Sequence, residues 1–367
     1  MKQGKTLSEL ASELERQQVQ KRDFIADTRD LEFIPRLNLQ ETDQPLHLPE
    51  TLRLSTPEES LDFSLSQHTH RQIGTHLNIP AKYYDRMQAD APTLLAQNIN
   101  HWFKTQTSER MIRTLDGKAR AFLSKRYRRL DNYDLLHAVL PVLSDLRDDH
   151  EKGLDILSCE VTETKLYLKC VFPKLEAEVK RGDAVQSGIV ISNSEIGQGA
   201  LTVTPLIYRL ICTNGMIAPD YGQRKYHVGR TQTLEEQSYE LFSDEALEAD
   251  DKAFWLKTRD IVKAAATPAT FDKIITVLQD ASSEPVNQPI KAVAELSNHL
   301  SFNQGELDSI LNHFMQDNDF SRWGLANAVT RTAEDSPDYD RASELEETGW
   351  KVLTLPKQDW QQIAQAA

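Results

Sequence analysis

Between Arg110 and Asn132 the chain reads RMIRTLDGKARAFLSKRYRRLDN, spacing cations and aromatic rings along one extended segment. Arg113, Lys118, Arg120, Lys125, Arg126, Arg128 and Arg129 carry the charge, and Tyr127 sits among them. Lys and Arg follow phosphates while rings stack on bases, so this pattern suits sequence-tolerant binding of a nucleic-acid strand. Asp116-Gly117 fills a two-residue type I′ hairpin loop, whose two positions both need φ > 0. That loop sets Leu115 against Lys118, Thr114 against Ala119, Arg113 against Arg120, Ile112 against Ala121 and Met111 against Phe122. Ile112, Ala119, Ala121 and Leu123 then share a core face. On the other face two guanidinium groups meet, at a cost of a few tenths to about 1 kcal/mol unless an anion lies between them. A ligand phosphate is one such anion, and a carboxylate from elsewhere in the chain is the other. A second basic and aromatic run, with Arg224, Lys225, Tyr226 and Arg230, is assigned to the same binding role.

Other chemistry is less specific. His68, His70 and His76 include an HxH, but no carboxylate or cysteine at useful spacing completes a metal set, and no metal site is assigned. Asp145, Asp148, Asp149, His150 and Glu151 read as a helix end running into a solvated loop. An enzyme would draw on Asp131, Asp134, His150, Glu195, Cys212 or His227. No P-loop, GxSxG, HExxH, CxxC or dinucleotide fingerprint supports one, so no reaction and no cofactor is read here.

With 367 residues the chain has room for roughly two domains. No apolar run approaches the roughly 20 residues that cross a bilayer, and MKQGKTLSEL lacks the apolar stretch of a secretory signal, so no membrane partner and a cytoplasmic location are expected. Three cysteines, Cys159, Cys170 and Cys212, make no disulfide framework and read as buried thiols. A net charge of -14 argues against wholesale wrapping by nucleic acid and leaves only a local basic field. The acid concentrates in Glu235 to Asp251 and toward the C-terminus, where it suits solvated helix faces or protein partners.

The elements that would position the basic segment follow from local patterns. Thr6-Leu7-Ser8-Glu9 is a capping box that opens a helix to about residue 22, and its narrow apolar stripe suits a homo-oligomer contact, a mobile arm or a docked helix. Asp27 to Ser55, with Pro35, Pro45 and Pro49, reads as extended chain with short strands. Three short helices are expected from Leu61, with Pro80 and Pro92 as starts. A helix from Asn132 to Leu146 should kink or end early at Pro141. Leu154 to Pro173 forms a hairpin about Glu163-Thr164, with Leu157, Cys159 and Val161 facing the core beside Leu166, Leu168 and Cys170. Ala184 to Asn193 is a strand and SNSEIGQGA a loop; after Ala200 either Thr204-Pro205 caps a short helix or one long strand bulges at Pro205. The remainder reads as helical, with a hinge at SSEPVNQP and a cluster of Trp323, Trp350 and Trp360.

Four blocks, KRYRRLDN, NSEIGQGALTV, RLICTNGM and WGLANAVTR, resemble in this order the family catalogued as domain of unknown function 932, also called phage/plasmid-like proteins. The likeness runs from about Leu61 to about Ala342, and Arg331-Thr332 stand where the family has a glutamate or tyrosine. The resemblance implies a protein of a phage or plasmid, encoded near replication and recombination genes, and carries no catalytic residue with it.

These readings combine into an α+β fold with short N-terminal helices, a mainly antiparallel central sheet with one crossing helix, and a helical C-terminal region. The divisions fall at residues 1–60, 61–230 and 231–367. The expected function is nucleic-acid binding, including single-strand binding or annealing in replication or recombination. A nucleic-acid-processing enzyme and an acidic protein-binding protein are the alternatives.

Overall fold

Asp116 and Gly117 take φ of 50° and 76°, and the tight turn they make joins β7 (Glu109–Leu115) to β8 (Lys118–Ser124). The structure is a computed structural model and describes residues 1–39, 46–151, 153–225, 244–265 and 267–365. Beside the turn the pairing is as expected, Leu115 opposite Lys118 and Thr114 opposite Ala119. The register then shifts by one residue, so Arg113 faces Ala121, Ile112 faces Phe122 and Met111 faces Leu123. Arg120 is the extra residue of a β-bulge and does not oppose Arg113. A bulge reverses which side chains share a face. Phe122 thereby joins Ile112 and Ala119 in one core, while Met111, Ala121 and Leu123 form another on the opposite face with Ile196. The expected grouping of Ala121 and Leu123 with Ile112 fails for that reason.

The hairpin is the centre of a six-stranded sheet ordered β1-β7-β8-β6-β5-β2, with β1 (Arg22–Asp27), β2 (Leu31–Ile34), β5 (Thr51–Ser55) and β6 (Ser60–Leu65). All pairs are antiparallel except β6 with β8. Where helix was expected from Leu61 there is a strand, because Leu61, Phe63 and Leu65 alternate with polar residues at period two. The helices that follow are α2 (Gln67–His76), α3 (Ala81–Asp90) and α4 (Pro92–Thr105). Pro92 is the first residue of α4, and Ser66 caps α2 by accepting from Thr69 N. Their apolar stripes cover one face of the sheet, burying Ile73, Tyr84, Leu95 and Phe103 against Phe33, Leu52, Ile112 and Phe122. Because β1 pairs with β7 and β5 with β6, this sheet runs straight across the division drawn at residue 60. A separate small ladder pairs β3 (Leu37–Leu39) with β4 (Leu46–Leu48).

The second sheet has the order β13-β12-β11-β10-β9, built from β9 (Asp155–Val161), β10 (Leu166–Lys180), β11 (Asp183–Asn193), β12 (Leu201–Arg209) and β13 (Gly215–Ile217). Val161 faces Leu166 and Cys159 faces Leu168 as expected, but an irregularity beyond Lys169 sets Ile156 opposite Cys170 and moves Leu157 to the other face. Chain direction at Pro205 resolves as one continuous strand without a bulge. Its free edge pairs with β13 from Leu206 and with β14 (Gln223–Lys225) up to Val203, so Pro205, which has no amide to donate, falls in the gap between them.

One face of this sheet buries Leu10 and Leu14 of α1 (Leu7–Gln20) and Leu135, Val139 and Leu143 of α5 (Asn132–Arg147). The Thr6/Glu9 capping box is present, and the stripe of α1 is covered within the chain. α5 runs through Pro141, with Val142, Leu143 and Leu146 buried beyond it holding the last turns in place. The C-terminal helices, from α6 (Asp244–Ala265) through α7 (Pro268–Ser282), α8 (Pro289–His299), α9 (Gln304–Asp317), α10 (Arg322–Thr332), α11 (Tyr339–Thr354) and α12 (Lys357–Ala364), are not a separate body. Trp323, Trp350 and Trp360 meet in one core that also takes in Val185 and Ile207 of the sheet. The segment read as a hinge is pinned, with Val286 N donating to Phe320 O at 2.8 Å and Arg322 N to Glu284 O at 2.9 Å. Among the described residues no helix is long and apolar enough to cross a membrane.

Cys159 and Cys170 are both 0% exposed, and burial pushes the Cys159 thiol up to about 12 and the Cys170 thiol higher still. A bulky thiol reagent should therefore modify both slowly at neutral pH and rapidly only once denaturant is added. Fast modification of both in native buffer would contradict the register of β9 and β10.

Candidate nucleic-acid interface

Arg113 lies in the middle of β7 and is 0% exposed. Its Nε donates to Asp23 Oδ1 at 2.9 Å, its Nη1 to the Glu195 carbonyl at 2.9 Å and its Nη2 to Asp131 Oδ1 at 2.6 Å. Asp23 is the residue opposite Arg113 across the β1–β7 pair. Asp131 precedes α5, and its second oxygen accepts from Lys21 Nζ at 2.6 Å. Glu195, in the loop between β11 and β12, uses one oxygen to accept from Asn132 N at 2.6 Å and the other to bind the Arg120 guanidinium. The anions at Arg113 are thus the chain's own carboxylates, Asp23 and Asp131, joined by a backbone carbonyl from a third segment.

The same loop is fastened along its length. Asn193 Nδ2 donates to Leu130 O at 2.8 Å and to Asn132 Oδ1 at 2.9 Å, and Tyr127 OH donates to Ser194 O at 3.2 Å. Ile196 O accepts from Gln72 Nε2 at 2.8 Å and lies 2.9 Å from His68 Nε2, while Gln72 Oε1 takes the Phe122 amide beside the bulge. Gly197 has φ of 80°, which favours glycine, and a Cβ there would sit 2.9 Å from Leu123 Cδ2 and push that methyl aside. Burial alone would raise the Asp131 carboxyl, but Arg113 and Lys21 outweigh it and hold it down at about 2.

The remaining cations lie nearer the surface. Lys118 pairs with Glu163 at 2.7 Å and Lys125 pairs with Glu109, with all four side chains substantially exposed. Arg129 is half exposed, 3.6 Å from Asp23. Arg128 is mostly covered, 3.2 Å from Asp250 and 4.5 Å from the centre of the Phe254 ring. Arg126 is half-buried, and the Tyr127 ring packs against Met111, Leu123 and Ile196 instead of standing free to stack. Arg224 and Lys225 belong to β14, whose backbone pairs with Leu201 and Thr202; Tyr226, His227 and Arg230 lie outside the described residues.

Between the β7–β8 turn, the start of α2, the β9–β10 turn and α1 lies a cleft of about 410 Å³. Lys118, Arg120, His68, Gln17, Ser64, Ser66, Thr162 and Thr164, with the carboxylates Asp116 and Glu163, supply its polar lining, and Leu115, Val161 and Ile196 its apolar part. Arg120 is 12% exposed, and its Nε is buried without a hydrogen-bond partner among the described residues. An unsatisfied buried donor costs about 1–3 kcal/mol, so the position favours an acceptor arriving from the cleft. Sequence reasoning missed Lys21 and Asp23 in the knot and the α2 wall of the cleft; reading Arg22–Asp27 as a strand was the signal that could have found the first pair.

The enzyme candidates scatter. Asp131 and Glu195 meet, but as acceptors saturated by Arg113, Lys21, Arg120 and the Asn132 amide. Burial, with Asp131 nearby, raises the Asp134 carboxyl. His150 is exposed near the end of α5, and the Cys212 sulfur lies 3.6 Å from Arg209 and 3.8 Å from Asp317. His68, His70 and His76 turn to different partners, the Ile196 carbonyl, the Tyr84 hydroxyl and the Ser108 hydroxyl.

A second polar knot ties the other two sequence blocks together. Arg209 donates twice to Asp183, at 2.7 and 2.9 Å, and Trp323 Nε1 donates to the same carboxylate at 2.9 Å. Asn214 bridges to Asn327 and Thr330 in α10.

The family described as Domain of unknown function (DUF932) matches residues 121–354, starting later than the resemblance suggested and taking in all of the second knot but only part of the first. No curated protein and no solved structure matches the chain.

Replacing Arg113 by Ala strands Asp23 and Asp131 in a largely dry site and should cost about 3–5 kcal/mol of stability, measured by urea unfolding. Since the folded Asp131 carboxyl is depressed from 3.8 to about 2, its contribution of about 2 kcal/mol is full above pH 4 and disappears as pH falls toward 2. The acid-side slope of stability against pH between 4 and 2 should accordingly be shallower in Arg113→Ala than in the parent. An unchanged slope would show that Arg113 does not hold the carboxylate charged.

Proposed function

We propose that this chain, which belongs to the family of domain of unknown function 932, binds a nucleic-acid strand through the cations of β8 and the segment after it. The observation that carries the reading is the cleft lined by Lys118 and Arg120, an entry for phosphate beside a buried guanidinium nitrogen that lacks an acceptor. Lys125 and Arg129 continue the positive charge outside it. The carboxylate partners of Lys118 and Lys125 are exposed, and exposed ion pairs are worth about 0–1 kcal/mol, so a polyanion displaces them cheaply. Arg113 takes no part in contacting phosphate; its role is to hold β7 where Arg120 can reach the cleft.

The net charge of -14 sets the expected character of the binding: local, weak at physiological salt and steeply salt-dependent. Strand annealing or protection in the replication or recombination of a phage or plasmid, in the cytoplasm, is the setting that this reading and the family resemblance support.

For single-stranded DNA, Lys118→Ala and Lys125→Ala should each lower the slope of log affinity against log salt by about 0.7, while changing stability by less than about 0.5 kcal/mol. Fluorescence anisotropy with a labelled oligonucleotide across a salt series gives the slopes. Wild-type protein that shows no salt-sensitive affinity for any DNA or RNA at low ionic strength would refute the function.

A further inference from the structure

The cleft differs from a basic surface in having two unlike kinds of lining. Lys118 and Arg120 supply cations, answered by the exposed Glu163 and by Glu195, and Ser66 and His68 bring the first turn of α2, where helix amides concentrate partial positive charge. Leu115, Val161 and Ile196 supply its apolar part. Asp116 is held off by Arg16, at 2.8 and 3.0 Å, so its charge is already answered at the mouth. Arg120 gives Nη2 to Glu195, and among the described residues its buried Nε has no acceptor, a deficit that a shift of the side chain toward an incoming anion would relieve. Burial lowers the affinity of His68 for a second proton. With Nε2 set against the Ile196 carbonyl, Nδ1 is the acceptor of a neutral ring.

Cationic groups, an apolar lining and a neutral acceptor are what a nucleoside phosphate needs, and about 410 Å³ falls at the lower end of the range of small-ligand pockets. From this we infer that the cleft seats one unpaired nucleotide, its phosphate between Lys118, Arg120 and the start of α2 and its base over Leu115, Val161 and Ile196. The inference rests on the nucleic-acid reading for its source of nucleotide, since a strand presents the same chemistry as a free mononucleotide. A paired base would have to bring its partner strand into the cleft, so the seat selects single strands or bases that have left the stack.

The test uses the full chain with three probes: an oligothymidylate, the same strand with abasic residues, and free thymidine monophosphate. Ser64→Trp fills the cleft from its β6 wall, and Lys118→Glu, at the exposed turn, removes the phosphate end without touching the core. Thermal unfolding checks that each variant folds. Wild type should bind the intact strand about tenfold more tightly than the abasic one, and either variant should lose most of that difference. Equal affinity of wild type for intact and abasic strands, or an undiminished preference in folded Ser64→Trp, overturns the seat while leaving strand binding by the outer cations standing. If no strand binds but thymidine monophosphate does, and Ser64→Trp abolishes it, the seat holds and the strand reading falls; if neither probe binds, both fall.

Discussion

A guanidinium with no exposed surface has to be answered by acceptors on every side, and Arg113 finds them in three segments. Asp23 comes from the strand beside it, Asp131 from the start of α5, and the Glu195 carbonyl from the loop between two strands of the other sheet. Strand pairing and the other bonds to the 193–197 loop bring these segments near one another, and satisfying that one side chain fixes them at a common point. Apolar packing on either side would tolerate sliding by a fraction of a residue. Directed, charged hydrogen bonds do not, and this is the sense in which the knot sets where the two sheets meet.

The cleft inherits its shape from this arrangement. Arg120 reaches Glu195 because the bulge turns it out of the ladder, and Glu195 is where it is because Asn132 N and the Arg113 contact hold its backbone and carboxylate. Two carbonyl bonds from α2 then fix Ile196 as the floor. The residues that would meet a ligand are few, while the residues that aim them are many and buried.

Local features were legible in the sequence. Asp116-Gly117, the Thr6/Glu9 capping box, Pro92 at the start of its helix and the Cys159/Leu168 register all depend on neighbours within a turn or a hairpin. The bulge at Arg120 was not legible, because what decides it is the room for Phe122 among helices far away in the chain. From Leu61 the pattern reads as helix because its alternation is short and abuts a true helix. The partners of Arg113 escaped for a different reason: Asp23 stands 90 residues before it, Glu195 82 after it and Asp131 18 after it, and acceptors at such separations leave no pattern in a window of any useful length. A cation facing inward could be suspected from the hairpin; which carboxylate answers it could not.

The spread of the knot along the chain also orders events during synthesis. Lys21 and Asp23 emerge first, the hairpin some ninety residues later, and the acceptors at 195 only after α5 and two long strands have followed. Until then the first sheet can pack against α2, α3 and α4, but Arg113 lacks its third acceptor and Arg120 its carboxylate. Contacts closed over such distances are entropically late. A ribosome pausing before residue 195 would therefore present the hairpin with Arg120 still unneutralised, and the nascent chain would attract polyanions more than the folded one does.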